Sequence, residues 1–212
     1  MLKAIIFDLY GTLIDAEGLF YEVSNLLSKK TSKNVEYIEK EVLNLYSHYF
    51  KDYYLKEFKP EKYYYKMLFN EIIKKYNLKE DAKYYIDFMY ESFSKLPYFK
   101  DIDYLNEIKK KNIYVSILTN ADSYFVRKKI NSSQIYYEDL IISEEVELYK
   151  PDKRIFELAL QRLNLNKEEI IFIGDNLITD IKATKDIGIK SLRIDRKGKG
   201  DISSLYELIN YI

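Results

Sequence analysis

The stretch Phe7-Asp8-Leu9-Tyr10-Gly11-Thr12-Leu13 closes an apolar run, Ala4-Ile5-Ile6-Phe7, on an acid and then turns through a glycine. A short β-branched run bounded by turn residues reads as a buried strand. The same reading applies to Ile113 to Leu118, Ile170 to Ile173 and Ser191 to Ile194, and to the shorter Leu140-Ile141-Ile142. Between these runs lie helical patterns at Ile102 to Lys111, Asp152 to Leu163 and Ile178 to Ile187. Alternating strands and helices predict an α/β fold with a parallel sheet. Ligands of such a sheet bind beyond the carboxyl ends of its strands. Asp8 falls at that place, and so does Asp175 behind Gly174.

From Glu17 to Lys95 the pattern changes to Lys-, Glu- and Tyr-rich stretches with apolar residues at helical spacing and no convincing strand. This predicts an all-helical insertion between the first strand and the rest of the chain. Pro60 separates two of its helices, and Pro97 marks the return to the sheet. The expected organisation is a catalytic core of residues 1–14 and 98–212 with a helical cap of residues 15–97. Tyrosine clusters such as Tyr63-Tyr64-Tyr65 and Tyr84-Tyr85 read better as helix-packing aromatics than as a ligand pocket, and the single histidine, His48, reads as structural.

Composition narrows the function classes. With 212 residues and 47% hydrophobic content, the chain suffices for one core and a smaller appended unit. Lys plus Arg and Asp plus Glu both number 34, so no net field favours nucleic acid or a membrane surface as a partner. The absence of cysteine removes disulfides, thiolate catalysis and sulfur-ligated metals. The apolar start of the chain is too short for a signal peptide or a spanning helix, which leads to the expectation of a cytoplasmic protein.

Of the six glycines, Gly11 and Gly174 accompany acids at strand ends, where backbone must turn tightly or approach something closely. The bland alternative makes Gly11 a simple turn and Asp175 the N-cap of the helix that follows. Order along the chain favours the functional reading. Phe7 to Leu13 resembles the first motif of the haloacid dehalogenase-like superfamily, a strand delivering a nucleophilic Asp into a Gly-Thr loop. Leu118-Thr119-Asn120 resembles the second, Tyr149-Lys150-Pro151-Asp152 the third, and Ile173-Gly174-Asp175 with Asp180 the acidic form of the fourth.

The resemblance implies a Rossmann-like core with a cap inserted after the first motif. It further implies Asp8 as nucleophile, with Lys150, Thr119 and Asp180 as its catalytic companions. Tyr10, Gly11, Thr12, Thr119, Asn120 and Lys150 would line the substrate site. Mg2+ would be held by Asp8, Asp175 and the backbone carbonyl of Tyr10. A carboxylate nucleophile forms a covalent intermediate and so splits one hard displacement into two easier ones. A phosphate approaching it requires positive charge, which Mg2+ and Lys150 supply.

One position departs from the pattern. Most phosphatases of the superfamily carry a second Asp two residues after the nucleophile, where this chain has Tyr10. A phenol, with its pKa of about 10, is a poor base at neutral pH. The 2-haloacid dehalogenases of the superfamily also carry an aromatic there and need neither the acid nor a metal. Against that branch, Asp175 makes sense mainly with a cation bound, and Ile14 to Leu96 contains no Arg to draw off halide. The favoured reading is therefore a Mg2+-dependent phosphohydrolase acting on a small metabolite. An (S)-2-haloacid dehalogenase is the alternative, and a non-catalytic binding protein that has kept the fold is a third reading. A homodimer remains open, because an aromatic-rich cap can serve as a dimer surface.

Overall fold

The computed structural model describes residues 1–133 and 135–212. Strand β1 (Ala4–Phe7) leads into four helices, α1 (Tyr21–Thr31), α2 (Val35–Tyr49), α3 (Glu61–Tyr76) and α4 (Ala82–Phe93). There follow α5 (Tyr104–Lys110), β2 (Tyr114–Thr119), α6 (Ser123–Asn131), β3 (Asp139–Ile142), α7 (Ser143–Val146) and α8 (Lys153–Leu163). The chain closes with β4 (Ile170–Gly174), α9 (Ala183–Asp186) and β5 (Lys190–Arg193). The sheet runs β3-β2-β1-β4-β5, and every pairing is parallel. This is the Rossmann-like α/β core expected, with helices between its first two strands.

Strand order explains where a ligand would bind. Successive crossovers go outward from β1 to β2 and β3, then return to place β4 on the other side of β1. The connections after β1 and β4 therefore diverge, and a crevice opens at their carboxyl ends. Asp8 follows β1, and Asp175 follows β4.

Side-chain alternation along β1 builds the two layers. Ala4 and Ile6 pack on one face with Phe156 and Phe172, whereas Ile5 and Phe7 face the other way. The second face belongs to a cluster that continues without a break into the inserted helices through Leu27, Val42, Leu68, Tyr85 and Met89. Tyr64, Tyr65 and Tyr85 are buried in that packing, while Tyr63 and Tyr84 are exposed. His48 is exposed on α2, edge-on to Tyr49.

The inserted helices start at recognisable caps. Asn34 accepts from the Tyr37 amide at the start of α2, and Asp81 accepts from the Tyr84 amide at the start of α4. Pro60 stands at the same place before α3 and has no side chain able to cap.

One expected helix is corrected, and the alternative reading of Asp175 as an N-cap is excluded. The single helix expected from Ile178 to Ile187 is a π-helical turn, Leu177–Lys182, followed by α9. The amides of Asp180 and Ile181 both donate to the Asn176 carbonyl, so the turn is wider than an ordinary helix and the sequence period misreads it. As a result Ile178 is 54% exposed while Asp180 is buried. Asp175 is also not the N-cap. The Asn176 side chain takes that role, accepting from the amides of Ile178 and Thr179.

Candidate active site

Four of the expected residues converge at the strand ends. Lys150 Nζ donates to Asp8 Oδ1 at 2.7 Å and to Asp180 Oδ1 at 2.6 Å, and all three side chains are buried. Burial alone would pull the Lys150 ammonium down, but the charges of Asp180 and Asp8 outweigh it and hold it above its ordinary value. Lys150 is thus a fixed cation beneath Asp8. The remaining oxygen of Asp180 accepts from the Asn176 amide at 3.1 Å, so both oxygens of that carboxylate are engaged.

The loop holding Lys150 is fixed by Asn120. Lys150 N donates to Asn120 Oδ1 at 2.8 Å, and Asn120 Nδ2 donates to the Lys150 carbonyl at 2.9 Å. This amide pair fastens the end of β2 to the segment before α8. The Asn120 side chain is thereby occupied with positioning, and the Thr119 side chain is buried beside it at the end of β2.

Glycine is required at two contacts. Gly11 has φ +92°, and a Cβ there would lie 2.5 Å from Asp175 Oδ2. A Cβ on Gly174 would lie 2.4 Å from Asp180 Oδ2. Both distances are shorter than real contacts, so each glycine lets an acidic side chain close against backbone. Thr12 Oγ1 lies 3.5 Å from Asp175 Oδ1, at the limit of a hydrogen bond.

Asp8, Asp175 and Asp180 form one acidic group, each offering a carboxylate oxygen within 4.8 Å of the others. Burial pushes the Asp175 carboxyl up to about 7, and the charges of Asp8 and Asp180 add to it. Burial also raises Asp180, against the pull of Lys150. Asp8 Oδ2 is buried without a hydrogen-bond partner. That orphaned oxygen and the Asp175 carboxylate suit a hard divalent cation, since the donors are all oxygen.

Tyr10 is the departure in atomic terms. Its ring lies edge-on to Phe125 at 5.6 Å, and its hydroxyl is buried with no hydrogen-bond partner. Burial drives the phenol far above its ordinary value, so it stays protonated near neutrality and cannot serve as a base there.

Several residues around the site were not anticipated. Tyr53 packs edge-on against Tyr149 at 4.6 Å, and its hydroxyl lies 3.4 Å from Asn120 Nδ2. Asp122 accepts from the amides of Glu61 and Lys62, and Tyr149 donates to the Lys59 carbonyl at 3.0 Å. The sequence offers one signal for these contacts, the break at Pro60 that delivers a helix start toward the core.

The family model described as haloacid dehalogenase-like hydrolase matches residues 5–194. The chain belongs to this family and is a hydrolase. It is 27% identical to a glyceraldehyde 3-phosphate phosphatase of Methanocaldococcus jannaschii, with 100% of this chain and 97% of that protein covered. It is 25% identical to (S)-2-haloacid dehalogenase 4A of Burkholderia cepacia, with 98% and 93% covered. Among solved structures, YfnB from Bacillus subtilis, described as a HAD-hydrolase bound to magnesium, superposes with a TM-score of 0.84 at 17% identity, covering 99% of this chain and 98% of that one. A dehalogenase structure superposes with a TM-score of 0.77 at 21% identity, covering 100% and 97%. At these identities the two structures speak to the fold alone. Among the described residues, no helix is long and apolar enough to cross a membrane.

Proposed function

We propose that the chain is a Mg2+-dependent phosphohydrolase acting on a small phosphorylated metabolite, with Asp8 as the nucleophile. The observation that carries this reading is Asp175, a half-buried carboxyl that offers an oxygen within 4.8 Å of one on Asp8 and is lifted to about 7 by burial and its acidic neighbours. A carboxylate at that place hinders attack on any anion unless a cation is shared between it and Asp8.

In the proposed reaction one Asp8 oxygen attacks phosphorus and the ester oxygen leaves, giving an aspartyl phosphate that water then hydrolyses. Lys150, fixed by Asn120 and Asp180, holds positive charge against Asp8 and the incoming phosphate. Thr119, the Asn120 backbone and the Gly11-Thr12 loop hold phosphate oxygens. Asp8 Oδ2, Asp175 and the Tyr10 carbonyl would hold Mg2+, which when bound neutralises the charge that would otherwise repel the phosphate. Asp180 positions Lys150 and the loop at Asn176. Helices of residues 15–97 cover the site and restrict it to small substrates, and the phosphatase relative fits that class.

The dehalogenase reading has Tyr10 and a relative in its favour. It leaves Asp175 unexplained and supplies no arginine between Ile14 and Leu96 for halide or a substrate carboxylate. Parallel assays separate the two readings: phosphate release from a panel of small monophosphates and chloride release from 2-chloropropionate, each with Mg2+ and with EDTA. Phosphate release that stops with EDTA is expected. Chloride release indifferent to EDTA would replace this reading with the other.

A further inference from the structure

The loop after β1 and the loop after β4 meet at the acidic group, where their contact is close. A Cβ on Gly11 would strike Asp175, and Asp8 and Asp175 offer carboxylate oxygens to the same space. Repulsion between ionised carboxylates is stronger in a site shielded from water, so until a cation is shared between them it pushes the two loops apart. The structure supplies ties that oppose it.

Both ties come from the end of β5. Arg193, its last residue, is in register with Gly174, and its Nε donates to the Asp175 carbonyl at 3.3 Å. Three residues on, Arg196 reaches the other loop. Its Nη2 donates to the Thr12 carbonyl at 2.7 Å, and its Nη1 donates to Asp101 Oδ2 at 2.5 Å. The guanidinium lies 4.0 Å over the Phe99 ring, and the Phe99 amide donates to the Leu13 carbonyl at 3.0 Å. Its two acceptors are themselves fixed, since Thr12 is buried and Asp101 also accepts from the Ser204 hydroxyl at 2.8 Å and the Leu205 amide at 2.7 Å. A cavity of about 390 Å3 is lined by Gly11, Asp175, Phe99, Arg193 and Arg196, so these contacts border the acidic group. A planar guanidinium can span two acceptors while its face stacks on a ring, which an ammonium cannot do. The chain draws most of its positive charge from lysine, yet both of these positions are arginine.

We propose that Arg196 is a positioning residue for the metal site: from the end of β5 it fixes the Gly11-Thr12 loop against the loop of Asp175, which Arg193 holds, so that the acidic oxygens stand at the spacing a cation needs. The proposal rests on the phosphohydrolase reading above, in which Asp8, Asp175 and the Tyr10 carbonyl hold Mg2+. The fork of Arg196 is taken up by Thr12 and Asp101, so it acts through the loop rather than on the ion. Its hold on the Thr12 carbonyl restrains the backbone of Gly11 and Tyr10 just before it. Without that hold the loop gains freedom that Mg2+ must remove on binding, and affinity for the ion falls although the bound arrangement is the same.

The test is calorimetric titration of Mg2+ into the full-length protein, with R196Q and R196K beside it. R196Q should raise the Mg2+ Kd by about 10-fold or more, the scale on which groups behind a metal ligand act. R196K keeps a positive charge beside Asp101 but cannot span Asp101 and Thr12, so its Kd should rise by about 5-fold or more. At saturating Mg2+, kcat for p-nitrophenyl phosphate should return to within about 3-fold in both variants, because the bound ion restores the spacing. An arginine serving the fold alone would lower Tm and leave Kd where it was. If R196Q does not fold, R196K decides. A Kd within about 2-fold of the unsubstituted value in either folded variant would overturn the assignment of Arg196 while leaving the phosphohydrolase reading intact. No Mg2+ binding by the unsubstituted protein, or binding unaffected by Asp175→Asn, would overturn both.

Discussion

Lys150 engages two carboxylates at once, and its value lies in what its removal leaves behind. Without the ammonium, Asp8 and Asp180 face each other buried and uncompensated, a situation that costs about 3–5 kcal/mol. Lys150→Met should therefore unfold at lower urea by an amount of that order at pH 8, besides losing turnover. The deficit should shrink at pH 5, because Asp180 is already raised and takes up a proton there. A deficit equal at both pH values would show that the ion triad is not its source. Asp8, Lys150, Asp175 and Asp180 were legible in the sequence because each sits in a short segment whose neighbours are chemically constrained, such as Gly174, which has no room for a Cβ beside Asp180. Tyr53 was not legible, since it is one tyrosine in a Tyr-rich insertion and only its contacts with Tyr149 and Asn120 distinguish it from its neighbours.

At the scale of elements, the joint between α3 and the core is the contact on which the covered site depends. Pro60 brings no capping side chain, and Asp122 performs the capping from the other side of the joint. The same carboxylate accepts from the Tyr90 hydroxyl of α4 at 2.7 Å. Asp122→Ala leaves buried amides and a buried hydroxyl without acceptors, so a loss of about 2–3 kcal/mol is expected in urea unfolding, toward the upper end for a charged acceptor. A loss under about 0.5 kcal/mol, the range of ordinary surface substitutions, would show that solvent replaces it. Strands were readable to within a residue because a doubly covered parallel sheet demands unbroken apolar runs. The turn after β4 was not, because Ile178 and Ile181 keep a helical spacing that the wider π turn does not obey. The capping by Asp122 was equally hidden, since its donors lie about sixty positions away in the chain.

Across the whole molecule, the inserted helices and the sheet share one apolar cluster, and the acids at the strand ends are expected to make stability depend on pH. The Asp175 carboxyl is raised to about 7, against about 3.9 in an unfolded chain. Between those values the folded state binds a proton that the unfolded state does not. The resulting stability is complete below about pH 4 and is lost as pH rises through about 7. In EDTA the Tm should therefore fall between pH 5 and pH 8. Added Mg2+ should raise Tm more at pH 8, where it has no proton to displace, than at pH 5. Equal metal effects at the two pH values would argue against Asp175 as a ligand. The covalent bond to Asp8 can be trapped by acid-quenching the protein during Mg2+-supported turnover of a small monophosphate. One phosphoryl group is expected on the peptide containing Asp8 and none in Asp8→Asn, which should be inactive. Turnover by Asp8→Asn, or a label carried by another residue, would contradict it.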